Sequence, residues 1–199
     1  MSAEVFDPVK NEWNLISNMS CKRSSVGVTA YDDHVYAIGG FCGDLHECLD
    51  TVERYDPKTD RWYPVSKMFT KRSGPAVCTY DGKIYVFGGH DGPVTHKSAE
   101  CYDFKTKKWQ QIAEMNIPRR NSGLRKFLLL IKKFLILSVE LGAIVYNDHI
   151  YCIGGDDGKS NLTSAEIYNP THNMWSLMPT FLQVARSYAG ILAIEKPLK

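Results

Sequence analysis

The sequence predicts an all-β repeat protein, on three observations. A unit of about 47 to 49 residues recurs along the 199-residue chain. Every copy contains short apolar runs of strand length, and Gly, Asp and Pro turn signals separate those runs. Tryptophans mark the copies at Trp13, Trp62, Trp109 and Trp175, spaced by 49, 47 and 66 residues, and glycine pairs at Gly39-Gly40, Gly88-Gly89 and Gly154-Gly155 are spaced by 49 and 66.

Within one unit, four strands are expected. In the copy that starts at Arg23, Val26, Val28 and Ala30 alternate with polar residues, the period of a half-buried strand. Asp32-Asp33 is a turn signal, and His34 to Ile38 is a second run, ended by Gly39-Gly40. Thr51 to Tyr55 is a third run, stopped by Asp56-Pro57, and Arg61 to Val65 around Trp62 is the fourth. Sheets this small are marginal alone, so neighbouring units must bury one another's faces. A tryptophan at one place in each unit is assigned to that inter-unit packing. Met19, Met68 and Met115 each follow a tryptophan by six residues, and Arg23, Arg72 and Arg119 follow each Met by four. In the last copy Phe181 takes the Met place and Arg186 falls one residue late. Repetition of the arginines favours structural hydrogen bonding within each unit over ligand contact.

Composition narrows the function. Hydrophobic residues make up 44% and the net charge is +2, which excludes disorder for most of the chain. A balance of 24 basic to 22 acidic residues gives nucleic-acid binding no support. Met1 is followed by a polar, acid-containing stretch, Ser2 to Asp7, without signal-peptide character. Cys21, Cys42, Cys48, Cys78, Cys101 and Cys152 are scattered without a CxxC pair, as expected of free thiols in a reducing cytosol rather than a disulfide framework. Sequons at Asn18 and Asn161 matter only in a secreted protein. Cys42, His46 and Cys48 share one loop, but their spacing matches no common zinc site, so no metal and no cofactor are expected. Asp32-Asp33 and Asp156-Asp157 are adjacent in turns, where turn chemistry explains them. There is no GxSxG, HExxH or phosphate-binding loop, and the protein is not expected to be an enzyme.

The co-spaced Gly-Gly, Tyr, Trp and Arg resemble the kelch repeat, a blade of a β-propeller. Ser-x-Glu-x-Tyr-Asp-Pro, followed by Trp, Met, Arg, Ile-Tyr and Gly-Gly-x-Asp-Gly, looks most like the kelch-like (BTB-kelch) adaptor family. His90-Asp91-Gly92 and Asp156-Asp157-Gly158 keep that pattern, and Phe41-Cys42-Gly43 departs from it. The resemblance implies a partial propeller: about three full four-stranded blades plus partial blades, a fragment of a six-bladed ring, with units near 1–20, 21–66, 70–113, 117–180 and 185–195. The last unit would supply one first strand, Ser187 to Ile194. Such an arc is expected to expose apolar blade faces and to aggregate as an isolated chain.

Spacing also locates an insertion. Trp13 to Gly39 and Trp62 to Gly88 are each 26 residues, whereas Trp109 to Gly154 is 45. Joining Gly123 to Ala143 restores the unit, which leaves 124–142 as extra. That piece carries Arg125, Lys126, Lys132 and Lys133 against Glu140, so without it the net charge falls from +2 to −1. It reads as translated intron or as a basic amphipathic helix too interrupted to span a bilayer.

A repeat scaffold sets the frame, so recognition is expected where equivalent loop positions differ between units. In the kelch-like family, substrate degrons are met by the residue after the glycine pair and by the one or two after the arginine. Carried over, the partner-binding positions are Phe41, His90 and Asp156 in one set. The other set is Ser24, Ser25, Ser73, Arg120, Asn121, Ser187 and Tyr188. The resemblance implies a cytoplasmic substrate-recognition propeller of a cullin-3 RING ubiquitin ligase adaptor, binding a peptide degron on its loop face. Cullin-3 itself would be reached through a BTB region absent from this sequence. An actin-binding, cytoskeletal kelch scaffold is the alternative, and neither nucleic acid nor membrane is an expected partner.

Overall fold

The computed structural model describes residues 3–121, 143–179 and 182–187. The expected insertion at 124–142, the candidate Tyr188 and all but the first residue of the expected strand from Ser187 to Ile194 lie outside the described residues.

The described residues are all-β. A two-stranded half-blade comes first, β1 (Ala3–Asp7) with β2 (Glu12–Ile16). A short β3 (Arg23–Ser24) then leads into blade I. This is a four-stranded antiparallel sheet of β4 (Gly27–Tyr31), β5 (His34–Ile38), β8 (Val52–Asp56) and β9 (Arg61–Val65), with β6 (Phe41–Cys42) and β7 (Glu47–Cys48) in its loop. Blade II is β10 (Ala76–Tyr80), β11 (Lys83–Phe87), β12 (Ala99–Asp103) and β13 (Lys108–Ile112). Blade III is β14 (Ala143–Tyr146), β15 (His149–Ile153), β16 (Ala165–Asn169) and β17 (Met174–Leu177). Within every blade the spatial order is the chain order. The first strands neighbour one another, with β10 against both β4 and β14. Together these blades form part of a β-propeller.

Local chemistry explains the turns. First and second strands join through Asp32-Asp33, Asp81-Gly82 and Asn147-Asp148, with φ of 50° and 58°, 44° and 65°, and 46° and 58°. Two successive positive φ angles make the hairpin turn that Asn, Asp and Gly favour. At the outer hairpins the Asp that ends the third strand accepts backbone N–H groups through its side chain. Asp56 Oδ1 takes Lys58 N at 2.9 Å, and Asp103 Oδ1 takes Lys105 N at 2.8 Å and Thr106 N at 3.0 Å.

The core sits between blades. Tyr36, Ile38 and Val52 of blade I meet Val77, Ile84 and Trp109 of blade II. Phe87 and Cys101 of blade II meet Ile150, Tyr168 and Trp175 of blade III. Three of the four tryptophans also span the joint by donating the indole N–H backwards. Trp62 Nε1 bonds Ser17 O at 2.9 Å, Trp109 Nε1 bonds Ser66 O at 2.7 Å, and Trp175 Nε1 bonds Ala113 O at 2.8 Å. Trp13 is 48% exposed and rests on Phe6, with ring centroids 5.3 Å apart.

Two expectations need correction. The six cysteines are not all free thiols, because Cys21 and Cys42 are joined as a disulfide with Cα atoms 6.4 Å apart. The loop after Gly39-Gly40 folds back on the chain ahead of Arg23, a proximity that linear spacing does not display. Nor is Phe181 the counterpart of Met68 and Met115. Met68 N donates to Asp50 O and Met115 N to Lys97 O, and the matching bond in blade III is Leu182 N to Thr163 O at 2.8 Å. Arg186 follows Leu182 by four residues, so the late arginine is in step with the fold.

Candidate functional site: the loop face

Three buried arginines frame this face. Arg72 donates from Nη1 to Gly88 O at 2.6 Å and Ser98 O at 2.9 Å, and from Nη2 to Glu100 Oε1 at 3.0 Å. Arg119 repeats the pattern on Gly154 O, Ser164 O and Glu166. Arg23 repeats it on Gly39 O, Thr51 O and Glu53. Both side chains of the Arg72–Glu100 and Arg119–Glu166 pairs are at most 2% exposed. Burial pushes the Arg72 guanidinium's pKa down, opposed by the charge of Glu100. The backbone of the same arginine reaches the preceding blade: Gly40 N donates to Arg72 O and Gly89 N to Arg119 O, both at 2.8 Å. Arg72 and Arg119 therefore each staple two blades, main chain to one and side chain to the next. In the last copy, Gly155 N donates to Arg186 O at 2.7 Å, while the Arg186 side chain is exposed.

This staple explains the first glycine of each pair. At Gly88, φ is 62° and a Cβ would lie 2.0 Å from Arg119 O. At Gly39, φ is again 62° and a Cβ would lie 2.3 Å from Arg72 O. The sequence displays the glutamates only as the acid of the Ser-x-Glu-x-Tyr-Asp-Pro motif, with no role attached. Their signal was available, since Glu53, Glu100 and Glu166 recur in step with the arginines. Each also receives backbone N–H groups from the loop before its arginine, as Glu100 does from Phe69 at 2.7 Å and Thr70 at 3.1 Å.

On this frame the candidate residues meet in pairs. Ser24 pairs with Phe41, Ser73 with His90 and Arg120 with Asp156. Ser73 and His90 exchange backbone bonds of 2.8 and 2.9 Å, and Arg120 and Asp156 exchange two of 2.9 Å. Ser25, Gly74 and Asn121 hold one position of successive units, with φ of 48°, 62° and 51°. They chain the blades together through Gly74 N to Ser25 O at 2.8 Å and Asn121 N to Gly74 O at 2.9 Å. Nine of the ten candidate positions are described, and this arrangement unites eight of them. Ser187 is half-buried beyond blade III. Ser73 is 2% exposed, so its hydroxyl does not face solvent.

The electrostatics of the face are close to neutral. Arg120 Nε donates to Asp156 Oδ1 at 2.9 Å, and that oxygen also accepts Gly158 N at 2.9 Å. His90 Nδ1 accepts Gly92 N at 3.2 Å. Burial, then the Arg120 charge, lowers the His90 pKa, so the ring is neutral at pH 7. Cys42 of the sequence's loop cluster is held by Cys21, and no group of three metal-ligating side chains exists among the described residues. A half-buried phenyl, a neutral imidazole, a compensated ion pair and a serine hydroxyl make a surface suited to peptide recognition.

Comparison with known proteins accords with this geometry. The kelch motif matches residues 22–69, 71–116 and 139–182. Over 191 residues the chain is 28% identical to human Kelch-like protein 23 and to its Pongo abelii counterpart, and 27% identical to that of Mus musculus. Those alignments take in 95% of this chain and 30% of each relative, so the chain spans about a third of their length. The solved structure of YjhT superposes with a TM-score of 0.71 at 14% identity, covering 90% of this chain and 58% of that one, a likeness of fold. Three motif matches that together take in more than half of the chain, each on one described blade, place this protein in the kelch-repeat family.

Proposed function

We propose that the chain is a protein-binding propeller that holds a peptide on its loop face, as the substrate-recognition part of a cullin-3 RING ubiquitin ligase adaptor. The observation that carries the binding reading is the convergence of Phe41, His90, Arg120 and Asp156 from three blades onto one rigid, nearly neutral face. Similarity to Kelch-like protein 23 supports the adaptor reading. Contact with the cullin is assigned to a BTB region outside the propeller, and the substrate is a peptide degron. Rigidity matters because the face is built from paired backbone, which reduces the ordering cost of binding.

The test is capture from cell extract by the full chain and by a Phe41→Ala, His90→Ala, Arg120→Ala variant with an unchanged melting temperature. Proteins captured by the parent and lost by the variant, and ubiquitylated when a BTB-bearing version is co-expressed, are the expected result. Identical capture by both chains would refute the reading.

A further inference from the structure

A cleft lies at the opposite end of the strands from the loop face. Blades I and II enclose about 860 Å³ there, within the size range of small-ligand sites. Its walls include Tyr31, Tyr36, Arg54, Tyr63 and Phe104. The three residues that shape it break the repeat. Arg54 is the third residue of β8, where β12 has Cys101 and β16 has Ile167. Tyr63 is the third residue of β9, where β13 has Gln110 and β17 has Ser176. Phe104 follows Asp103 where the other copies have Pro8, Pro57 and Pro170.

These departures change the joint. Between blades II and III, Cys101 is 3% exposed and packs with Tyr85 and Tyr168 in the core. Between blades I and II, Arg54 is half-buried instead, its guanidinium carbon 5.3 Å from the centre of the Tyr63 ring. Phe104 stacks on Tyr31 at 3.8 Å between centroids and meets Tyr36 edge-on at 5.4 Å. Among the described residues Arg54 has no carboxylate within ion-pair distance, nor do Lys105 and Lys107, which also line the cleft. Asp103 is engaged by its own turn and lies 3.9 Å from Lys83. The other acids, Asp32 and Asp81, sit on the innermost hairpins, whereas Arg54 and Tyr63 lie on the third and fourth strands. The outer half of the cleft is therefore cationic and aromatic.

An arginine without an acid, flanked by aromatic faces, is the arrangement that holds a planar anion. The guanidinium binds carboxylate or phosphate in a fork, and the rings accept a ring. We propose that this cleft binds a planar aromatic ligand bearing one carboxylate or phosphate, its anion on Arg54 and its ring beside Tyr63. This surface is independent of the loop face, so failure of one reading leaves the other intact.

The probes are phenyl phosphate, benzoate and inorganic phosphate, titrated into the full chain and followed by NMR shifts of the Tyr63 and Phe104 rings. Phenyl phosphate or benzoate is expected to give saturable shifts, and whichever binds more tightly identifies the anion. Inorganic phosphate should bind more weakly than phenyl phosphate, for want of a ring. Arg54→Gln should weaken binding about tenfold or more, the effect of losing a charged hydrogen bond. Should Arg54→Gln lower the melting temperature, Tyr63→Ala gives a second reading: weakened binding supports the site and unchanged binding overturns it. Absence of saturable shifts with both aromatic probes, or equal affinity in a folded Arg54→Gln, also overturns it.

Discussion

Replacing Arg72 by Met tests whether the arginine staple, rather than strand pairing alone, holds adjacent blades. Met keeps much of the side-chain volume and removes every donor. Gly88 O and Ser98 O lose their partner in a buried setting, and Glu100 keeps its charge with no cation beside it. Breaking one side of a buried ion pair costs about 3–5 kcal/mol. Native domains are stable by only about 5–15 kcal/mol, so this is a large fraction. At about 2–4 °C per kcal/mol for a chain of this size, the melting temperature should drop by about 6–20 °C. The assay is urea unfolding followed by tryptophan fluorescence, with Trp109 reporting on the joint between blades I and II. Glu100→Gln supplies the control on mechanism. Phe69 N donates to Oε2 and Thr70 N to Oε1, so Gln removes the charge and keeps one of these two acceptors. In the parent it should destabilise, by stranding Arg72. In the Arg72→Met background it should restore stability, by removing an uncompensated charge. A loss below about 1 kcal/mol for Arg72→Met, or an equal cost of Glu100→Gln in both backgrounds, would refute the reasoning.

Other consequences follow from the same geometry. Gly88→Ala should cost more than about 1 kcal/mol, because a positive φ and Arg119 O both oppose a Cβ, whereas Gly43→Ala, with nothing within 4 Å, should stay within about 0.5 kcal/mol; equal midpoints in urea would contradict this. Burial lowers the pKa of His90 and of His96, which lines the same loop, so the folded state resists their protonation. Stability they contribute is complete above the unfolded value of about 6.5 and is lost as pH falls through the folded values, so NMR should show imidazole titration below pH 6.5. Tyr55 and Tyr168 are pushed up to about 12, chiefly by burial. The unfolded chain ionises first, so stability is retained below about pH 10 and declines from there towards pH 12; a flat alkaline melting profile would count against it. Trp62→Phe, which removes the indole bond to Ser17 O, should cost about 1 kcal/mol or more in urea unfolding.

Much of the architecture was legible in the chain because a repeat states each rule several times. The Asp-Pro signals, the paired turn residues and the alternating apolar runs act over a few residues, and their physics is local. Strand extents and turn positions could therefore be read from blade I and carried to its neighbours. The co-spacing of Arg and Gly-Gly announced a structural device without showing that one arginine serves two blades. That depended on Arg72 O meeting Gly40 and on its side chain meeting Gly88, contacts that exist only once blades pack side by side. The same holds for the Cys21–Cys42 bond, and for Leu182 standing where Phe181 was expected, since hydrogen-bond partners rather than residue counts define equivalence. On the loop face, the sequence by itself determined which equivalent positions differ between units. Only the tertiary structure decided that Ser73 is enclosed, that Arg120 is neutralised by Asp156, and that Arg54 and Phe104 open a cleft at the far end. The physical reason is that burial and ion pairing are properties of the space between blades, and no single blade encloses that space.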